Sequence, residues 1–307
     1  MHSGSELKRV LGRRDVIALA FGAMIGWSWV LLTGEWTVRA GTLGAVGAFL
    51  IGGIAVTFIA LTYAELAAAM PAVGGEHVYS LRALGRGLSF VCSWAIVLGY
   101  VSVAAFEAVA LPFALSHLVP GTQLGYLWTI HGWDVHVSFV AVGIGASILL
   151  TWINIIGIKP AAALQGIVTC AILASGVVFL AGVSITGDPD KLTPLFENGA
   201  AGVMGVLMMV PIMFVGFDII PQTAEEIDLP DAEIGALVVV SVVIAVLWYA
   251  AIILGVGLAL DADARAASAM TTADASGSVW NSVVARNLLI VGGIAGIITT
   301  WNAFLVG

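Results

Sequence analysis

Charge is what this sequence has least of. Only 10% of its 307 residues are Asp, Glu, Lys or Arg, against 60% that are apolar. Soluble domains carry about a quarter charged residues, so an ordinary soluble domain is excluded, and a mean hydropathy of +1.07 agrees. Disorder is excluded as well, because it needs low hydrophobicity and high charge. Basic residues are scarce: 11 Lys and Arg face 19 Asp and Glu, which argues against any nucleic-acid partner. The two cysteines, Cys92 and Cys170, both lie in apolar runs, leaving no disulfide framework and no Cys-rich zinc site. None of His2, His77, His117, His131 and His136 falls clearly inside an apolar run, and H-E-x-x-H is absent. The nucleophile-and-base or metal set of an intramembrane enzyme is therefore missing, and no enzymatic activity or cofactor is expected. A channel would need a repeated filter or a ring of pore residues, and neither is present.

What is there is a series of long apolar runs. A membrane helix needs roughly 20 mostly apolar residues, because about 30 Å of hydrocarbon is crossed at about 1.5 Å per residue. Eight stretches qualify, at 15–34, 41–70, 87–119, 136–157, 161–186, 200–224, 234–260 and 287–307. The runs are unbroken rather than alternating, so they read as helices and not as barrel strands. The first has no A-x-A exit and is followed by further spans, so it is not a cleaved leader. Thirty-seven glycines suit close helix packing. The expectation is an all-α polytopic membrane protein.

Basic residues orient the spans. Lys8, Arg9, Arg13 and Arg14 precede the first, Arg82 and Arg86 follow the second, and Lys159 follows the fourth. Arg39, Lys191, Arg265 and Arg286 fall on the other side. The excess places the N-terminus, with segment 1–14, in the cytoplasm, and the plasma (inner) membrane is the expected location. The last span stops at Gly307, from which a C-terminally truncated chain is expected.

Two spans are poor helices. The first contains Phe21-Gly22-Ala23-Met24-Ile25-Gly26-Trp27-Ser28-Trp29, and the sixth runs from Val210-Pro211 through Phe214-Val215-Gly216-Phe217-Asp218 to Pro221. Each proline removes an N–H and clashes with the carbonyl four residues back. Taken singly, Gly22-x-x-x-Gly26 is a packing notch and the prolines are kinks. Together they interrupt the first helix of each of two halves, which marks the substrate site of an inverted-repeat transporter.

Four stretches resemble amino acid permeases of the amino acid–polyamine–organocation superfamily: Gly22-Ala-Met-Ile-Gly26, Tyr63-Ala-Glu-Leu-Ala-Ala-Ala-Met-Pro-Ala-Val-Gly-Gly-Glu-His-Val-Tyr79, Gly157-Ile-Lys-Pro-Ala-Ala-Ala-Leu-Gln165, and Phe214-Val-Gly-Phe-Asp218 followed by Ala224-Glu-Glu226. The resemblance covers essentially the whole chain. It implies a LeuT-type inverted-repeat fold with discontinuous helices 1 and 6, usually within twelve spans. Residues 15–186 would form the first five-helix repeat and 187–307 an incomplete second one. Family members commonly carry a small residue and then glycine after the second glycine of the first motif. Here Trp27, Ser28 and Trp29 follow, so the pocket departs from the family pattern.

With the N-terminus inside, the freed N–H groups near Gly26 to Ser28 suit a substrate carboxylate. Freed carbonyls near Gly22 and Ile25 suit a cation or an ammonium group. The break at Phe214 to Asp218 lies opposite. Trp29, Phe214 and Phe217 are candidate walls or, equally, packed aromatics. Glu107 lies deep in the third span, with Tyr100 seven residues earlier on the same face. A charge there is costly, so Glu107 reads as a carboxylate that meets a cationic group or carries a proton, or else as a protonated acid bonded to a neighbour. Asp218 is expected to orient the unwound backbone, to accept from a substrate amine or, the preferred reading, to cap the second half-helix of span six. Glu65 is expected to join Arg82 or Arg86 at the inner end, with Glu225 and Glu226 solvated. Segment 71–86, with its Pro and Gly residues, is expected to bend.

Span eight carries Gly296-Ile-Ile-Thr299-Thr300. This resembles the pattern that in sodium-coupled relatives supplies a carbonyl and two hydroxyls, with Gly22 and Ile25 adding carbonyls. An oxygen-only set suits a hard cation, although the two threonines can also bond their own helix. Sodium, a proton and ion-free exchange all stay open. The expected function is alternating-access transport of an amino acid or a related amine such as a polyamine. A non-transporting sensor or accessory subunit on the same fold is the alternative. Substrate identity and oligomeric state are not written in the sequence.

Overall fold

Helix follows helix along this chain because each long apolar run satisfies its own backbone, which lipid cannot do for it. The computed structural model describes residues 9–70 and 72–307. Residues 1–8, with Lys8 and the start of the expected segment 1–14, and Pro71 lie outside the described residues.

The first span is three helices, α1 (Arg13–Met24), α2 (Ser28–Leu31) and α3 (Thr33–Ala40). It breaks at Ile25 to Trp27 as the glycine pattern predicts, but continues to Ala40 rather than ending at residue 34. Next come α4 (Thr42–Ala69) and α5 (Glu76–Leu118). Gly85 adopts φ 78° inside α5 and divides it into a short connecting helix and the third span, so the 71–86 segment does bend. A two-stranded antiparallel hairpin, β1 (Tyr126–Ile130) and β2 (Trp133–His136), follows. It corrects the all-α expectation. The segment Trp128-Thr-Ile130 and its partner Trp133-Asp-Val135 alternate in polarity around His131-Gly132, a turn signal in the sequence.

Beyond it run α6 (Val137–Ile156) and α7 (Ile158–Thr186). The sixth span is again broken, into α8 (Gly199–Leu207), α9 (Val210–Met213) and α10 (Ile219–Gln222). Pro211 stands at the start of α9, where its missing N–H costs nothing. Then come α11 (Asp231–Ala259), the short α12 (Ala262–Ala267) and α13 (Thr271–Trp280), and α14 (Val283–Val306). Six helices (α4, α5, α6, α7, α11 and α14) are long and apolar enough to cross a membrane. The first and sixth spans are the interrupted ones.

The core forms where α11 lies along α4, and where α14 lies against α7, α5 and α1. Glycines set these distances. A methyl group on Gly53 would sit 2.4 Å from Val246, and one on Gly235 would sit 2.8 Å from the Ala64 carbonyl. Gly176 of α7 leaves room for the Trp248 indole, whose ring atoms come within 2.1 Å of where a Cβ would be. Trp248 in turn meets Phe21 and Trp29 edge-on, at 5.8 and 5.4 Å between ring centres. At the N-terminal end, Val10 and Leu11 donate their N–H groups to the Glu226 carbonyl at 2.8 and 3.0 Å, and Asp228 donates back to Leu11. Arg13 pairs with Glu233. Partial burial here pushes the Glu226 carboxyl above its ordinary value, so this acid is not simply solvated. Glu65 is exposed and pairs with neither Arg82 nor Arg86 among the described residues; nearby, Glu76 accepts from Gln222.

Gly176→Val is expected to lower the melting temperature in detergent, since overpacking a filled site costs about 1–3 kcal/mol. Gly145 has open space around it, so Gly145→Ala should leave the melting temperature unchanged or slightly raised. Equal effects of the two would contradict the glycine-set packing.

Candidate functional site

Two interrupted spans bring two sets of unsatisfied backbone groups to one depth. Gly216 has φ 125°, and a Cβ on it would lie 2.5 Å from the Ala23 methyl group, so the two breaks touch. Beside that contact is a cavity of about 140 Å³ lined by Ala23, Met24, Gly26, Trp27, Ser28, Val103, Phe106, Glu107, Ile212, Met213, Val215, Thr300 and Phe304. It is walled by the first break, the α5 face that carries Glu107, the α9 end and α14.

Seven of the fourteen residues singled out for substrate line this cavity: Ala23, Met24, Gly26, Trp27, Ser28, Glu107 and Val215. Gly22 and Ile25 lie behind it. Gly22 faces Gln165, Thr169 and Thr299, which is the packing role a G-x-x-x-G notch also allows. Ile25 is fully buried. Phe214 is packed on Phe49 and Tyr249, and Phe217 stands edge-on to Tyr63 at 5.4 Å. Trp29 packs on Trp248. The aromatic walls are instead Trp27, Phe106 and Phe304. Nothing in the sequence separated Phe106 and Phe304 from other apolar residues of their spans, but Phe304 is one turn from Thr300. Val103 is one turn from Glu107, and Ile212 and Met213 immediately precede the second break.

Asp218 corrects the capping expectation. It precedes α10 but makes no side-chain cap bond. One carboxylate oxygen accepts from the Gly216 N–H at 2.9 Å, and the other accepts from the Tyr100 hydroxyl at 2.6 Å. Tyr100 packs on Phe304 at 4.8 Å. The pair Tyr100–Asp218 thus braces the second break against α5, adjacent to the cavity.

At the first break the two kinds of backbone group fare differently. Phe21 accepts from Ile25 N–H at 2.9 Å. The Gly22 and Ala23 carbonyls accept from the Thr300 hydroxyl at 3.3 and 3.4 Å, and the Met24 carbonyl accepts from the Tyr249 hydroxyl at 3.0 Å. The N–H groups of Gly26 and Trp27 find no partner among the described residues. Unpaired donors at a helix start attract an anion. Glu107 lines the same cavity; it is 3% exposed and its Oε2 has no hydrogen-bond partner among the described residues. Its Oε1 lies 3.5 Å from where a Gly26 Cβ would be. An unpaired carboxylate oxygen in apolar surroundings demands a cation, a proton or a donor.

Gly22, Ile25, Gly296, Thr299 and Thr300 do converge. A Cβ on Gly296 would touch the Gly26 carbonyl at 2.3 Å and the Ile25 carbonyl at 3.1 Å, so α14 presses its backbone onto the break. Thr299 donates to its own helix at Gly296, 2.8 Å away, while Thr300 reaches α1. Among the described residues no group of three or more His, Cys, Asp or Glu could hold a metal ion, so carbonyl and hydroxyl oxygens are the only cation donors that this cluster offers. Trp27 is seated over Gly293, whose missing side chain leaves room for its ring, 2.2 Å from the Cβ position.

The chain is thus a polytopic helical bundle with a largely apolar cavity, holding one buried carboxyl, beside two touching helix breaks. Residues 15–305 match the family model for amino acid permeases, and the chain belongs to that family. It is 28% identical over 253 residues to the branched-chain amino acid permease BcaP of Bacillus subtilis, covering 80% of this chain and 53% of that protein. It is 28% identical over 311 residues to the chloroplastic cationic amino acid transporter 9 of Arabidopsis thaliana, covering 97% of this chain and 53% of the relative. A methylthioribose transporter of Bacillus subtilis is 24% identical, covering 80% of this chain and 54% of the relative. The chain spans about half the length of these curated relatives.

Gly26→Val would place a side chain against Thr300, whose Oγ1 lies 2.8 Å from the Cβ position, and would cover the free N–H groups. Ligand binding is expected to weaken at least about tenfold, or about 1.4 kcal/mol, in a variant that still inserts. Unchanged binding in a folded variant would rule out the first break as the anion site.

Proposed function

We propose that the protein is a secondary transporter that moves an amino acid or a related amine across the membrane by alternating access. The observation that carries this reading is the cavity beside the breaks, lined both by Gly26 and Trp27, whose N–H groups are free, and by Glu107, whose Oε2 is bare. An amino acid carries a carboxylate and an ammonium group, and the cavity offers a counterpart for each. The names of relatives, a branched-chain amino acid permease and a cationic amino acid transporter, support this class. The apolar lining by Met24, Val103, Phe106, Ile212, Met213 and Phe304 would receive the remainder of the substrate.

In this proposal the fold is of the LeuT type, with residues 15–186 as the first repeat and 187–307 opening the second. The N-terminus is cytoplasmic and the protein lies in the plasma (inner) membrane. One helix bundle rocks against another around the cavity. Coupling would come from Na+ at Gly22, Ile25, Gly296, Thr299 and Thr300, from a proton on Glu107, or from exchange without an ion. Amino acids and polyamines are the substrate classes to be compared, since Glu107 would also meet a cationic side chain.

Thermal stabilisation in detergent, across amino acids and polyamines with and without Na+, tests the reading. A ligand at about 100 times its Kd adds about 2.7 kcal/mol to the folded state, which a melting curve resolves. A shift with an α-amino acid, lost in Glu107→Ala, is expected. An added shift with Na+ that disappears in Thr300→Val would assign the ion. No shift with any compound would overturn the transporter reading.

A further inference from the structure

Gly293, Gly296, Thr300 and Phe304 stand three or four positions apart along α14 and so share one face of it. That face meets the first break in order. A Cβ on Gly293 would lie 2.2 Å from Cζ3 and 2.6 Å from Cε3 of Trp27, and one on Gly296 would lie 2.3 Å from the Gly26 carbonyl oxygen. Thr300 donates to the Gly22 and Ala23 carbonyls, and Phe304 stands against Tyr100. Gly26, Trp27, Thr300 and Phe304 line the cavity, whereas Gly293 is not part of its lining. Along this face the cavity therefore runs between a Trp27 end and a Phe304 end.

Both ends are fixed. Phe304 is backed by the Tyr100 ring at 4.8 Å, and Tyr100 is tied to Asp218 by a hydrogen bond of 2.6 Å. Trp27 is 3% exposed. Its Nε1, on the five-membered ring, has no hydrogen-bond partner among the described residues. The side chain is therefore held by the fit of its six-membered ring into the hollow over Gly293, which Val30 also borders at 2.8 Å. An aromatic side chain turns about only two torsions, so a ring wedged there does not fold away when a ligand enters.

The space left over is small, about 140 Å³. A cavity of about 150 Å³ holds benzene, a ligand of six non-hydrogen atoms. The carboxylate, Cα and amino nitrogen common to all α-amino acids already make five. Glycine and alanine match the space, while leucine exceeds it by three atoms and arginine by six. A longer side chain would have to press on the Trp27 ring or on Phe304.

We propose that Trp27 is the specificity-determining residue of the cavity: seated in the Gly293 hollow, its ring limits the ligand to a compact amino acid of glycine or alanine size and excludes leucine, arginine and spermidine. The inference rests on the amino acid reading above and narrows its substrate class. Trp27 also carries one of the two free N–H groups. Recognition of the carboxylate and the limit on what that carboxylate carries thus arise at one residue.

The test reads dissociation constants for glycine, alanine, leucine, arginine and spermidine from ligand-dependent melting of the full chain in detergent. The unaltered protein is expected to bind alanine at least about tenfold more tightly than leucine, arginine or spermidine, a ratio that excess bulk in an apolar pocket readily commands. Trp27→Ala should raise leucine affinity at least about tenfold relative to alanine, with Trp27→Leu as the milder cut where the larger one loses a single melting transition. Gly293→Ala acts from outside the cavity lining and denies the ring its hollow. It should weaken alanine binding about fivefold or more, and that loss should vanish in the Trp27→Ala background, because residues that act through one contact are coupled. Three results would each overturn the proposal and leave the cavity assignment standing: equal binding of alanine and leucine by the unaltered protein, an unchanged ratio in the folded Trp27 variants, or a Gly293→Ala effect that persists without the ring. Binding of no amino acid by any of these proteins would overturn the amino acid reading and this inference with it.

Discussion

Two helices are cut at membrane depth, and the remaining structure is arranged around the backbone groups that the cuts release. In water such groups would cost little. In hydrocarbon each needs a partner from within the protein. Three carbonyls at the first cut, those of Gly22, Ala23 and Met24, accept from hydroxyls of two other spans, Thr300 of α14 and Tyr249 of α11. The second cut is provided for by Asp218, which takes the Gly216 N–H and is itself braced by Tyr100. Each of these partners must come close, and that explains the placing of the glycines that allow it. Gly296 lets α14 press onto the first break, Gly216 lets the two breaks touch, and Gly293 makes room for Trp27. The N–H side of the first cut has been left open, and the cavity lies there.

That asymmetry gives the site its polarity. Two unpaired N–H groups at a helix start favour negative charge. Glu107 lies close to them with its own unmet oxygen. The arrangement cannot be a relaxed neutral core, because a buried polar group without a partner costs free energy comparable to a lost hydrogen bond or more. A zwitterion relieves both demands at once, and neither a simple anion nor a simple cation does. This accounting, rather than cavity size, is the ground on which an amino acid is proposed.

Much of this was legible in the sequence, for identifiable reasons. Span positions follow from hydropathy, and the interruptions follow from Gly22, Gly26, Pro211, Gly216 and Pro221, whose backbone preferences are local. Glu107 stood out because a carboxylate within an apolar run is rare in any context. The roles of particular residues were less legible where they depend on which neighbour lies opposite. Gly22 and Gly26 are equivalent in the motif, yet one faces Gln165 and the other faces Glu107, a difference set by the rotation of α1 against α7 and α5. Phe214 and Phe217 looked like walls because they flank the break, but helical geometry turns them onto Phe49 and Tyr63. The β-hairpin is a different case. Its alternating residues were on view, but the surrounding apolar runs dominate any reading by hydropathy.

The two acids near the breaks show how satisfaction separates structural from functional charge. Asp218 and Glu107 have equal claim on the sequence, since each is a carboxylate within a membrane span. Asp218 accepts from Gly216 and Tyr100 on separate oxygens, so adding a ligand there would mean displacing a bond that holds the second break in shape. Glu107 has an oxygen with nothing to give up, and it faces the cavity rather than a helix interface. Binding energy can be gained at Glu107 without spending local structure, and at Asp218 it cannot.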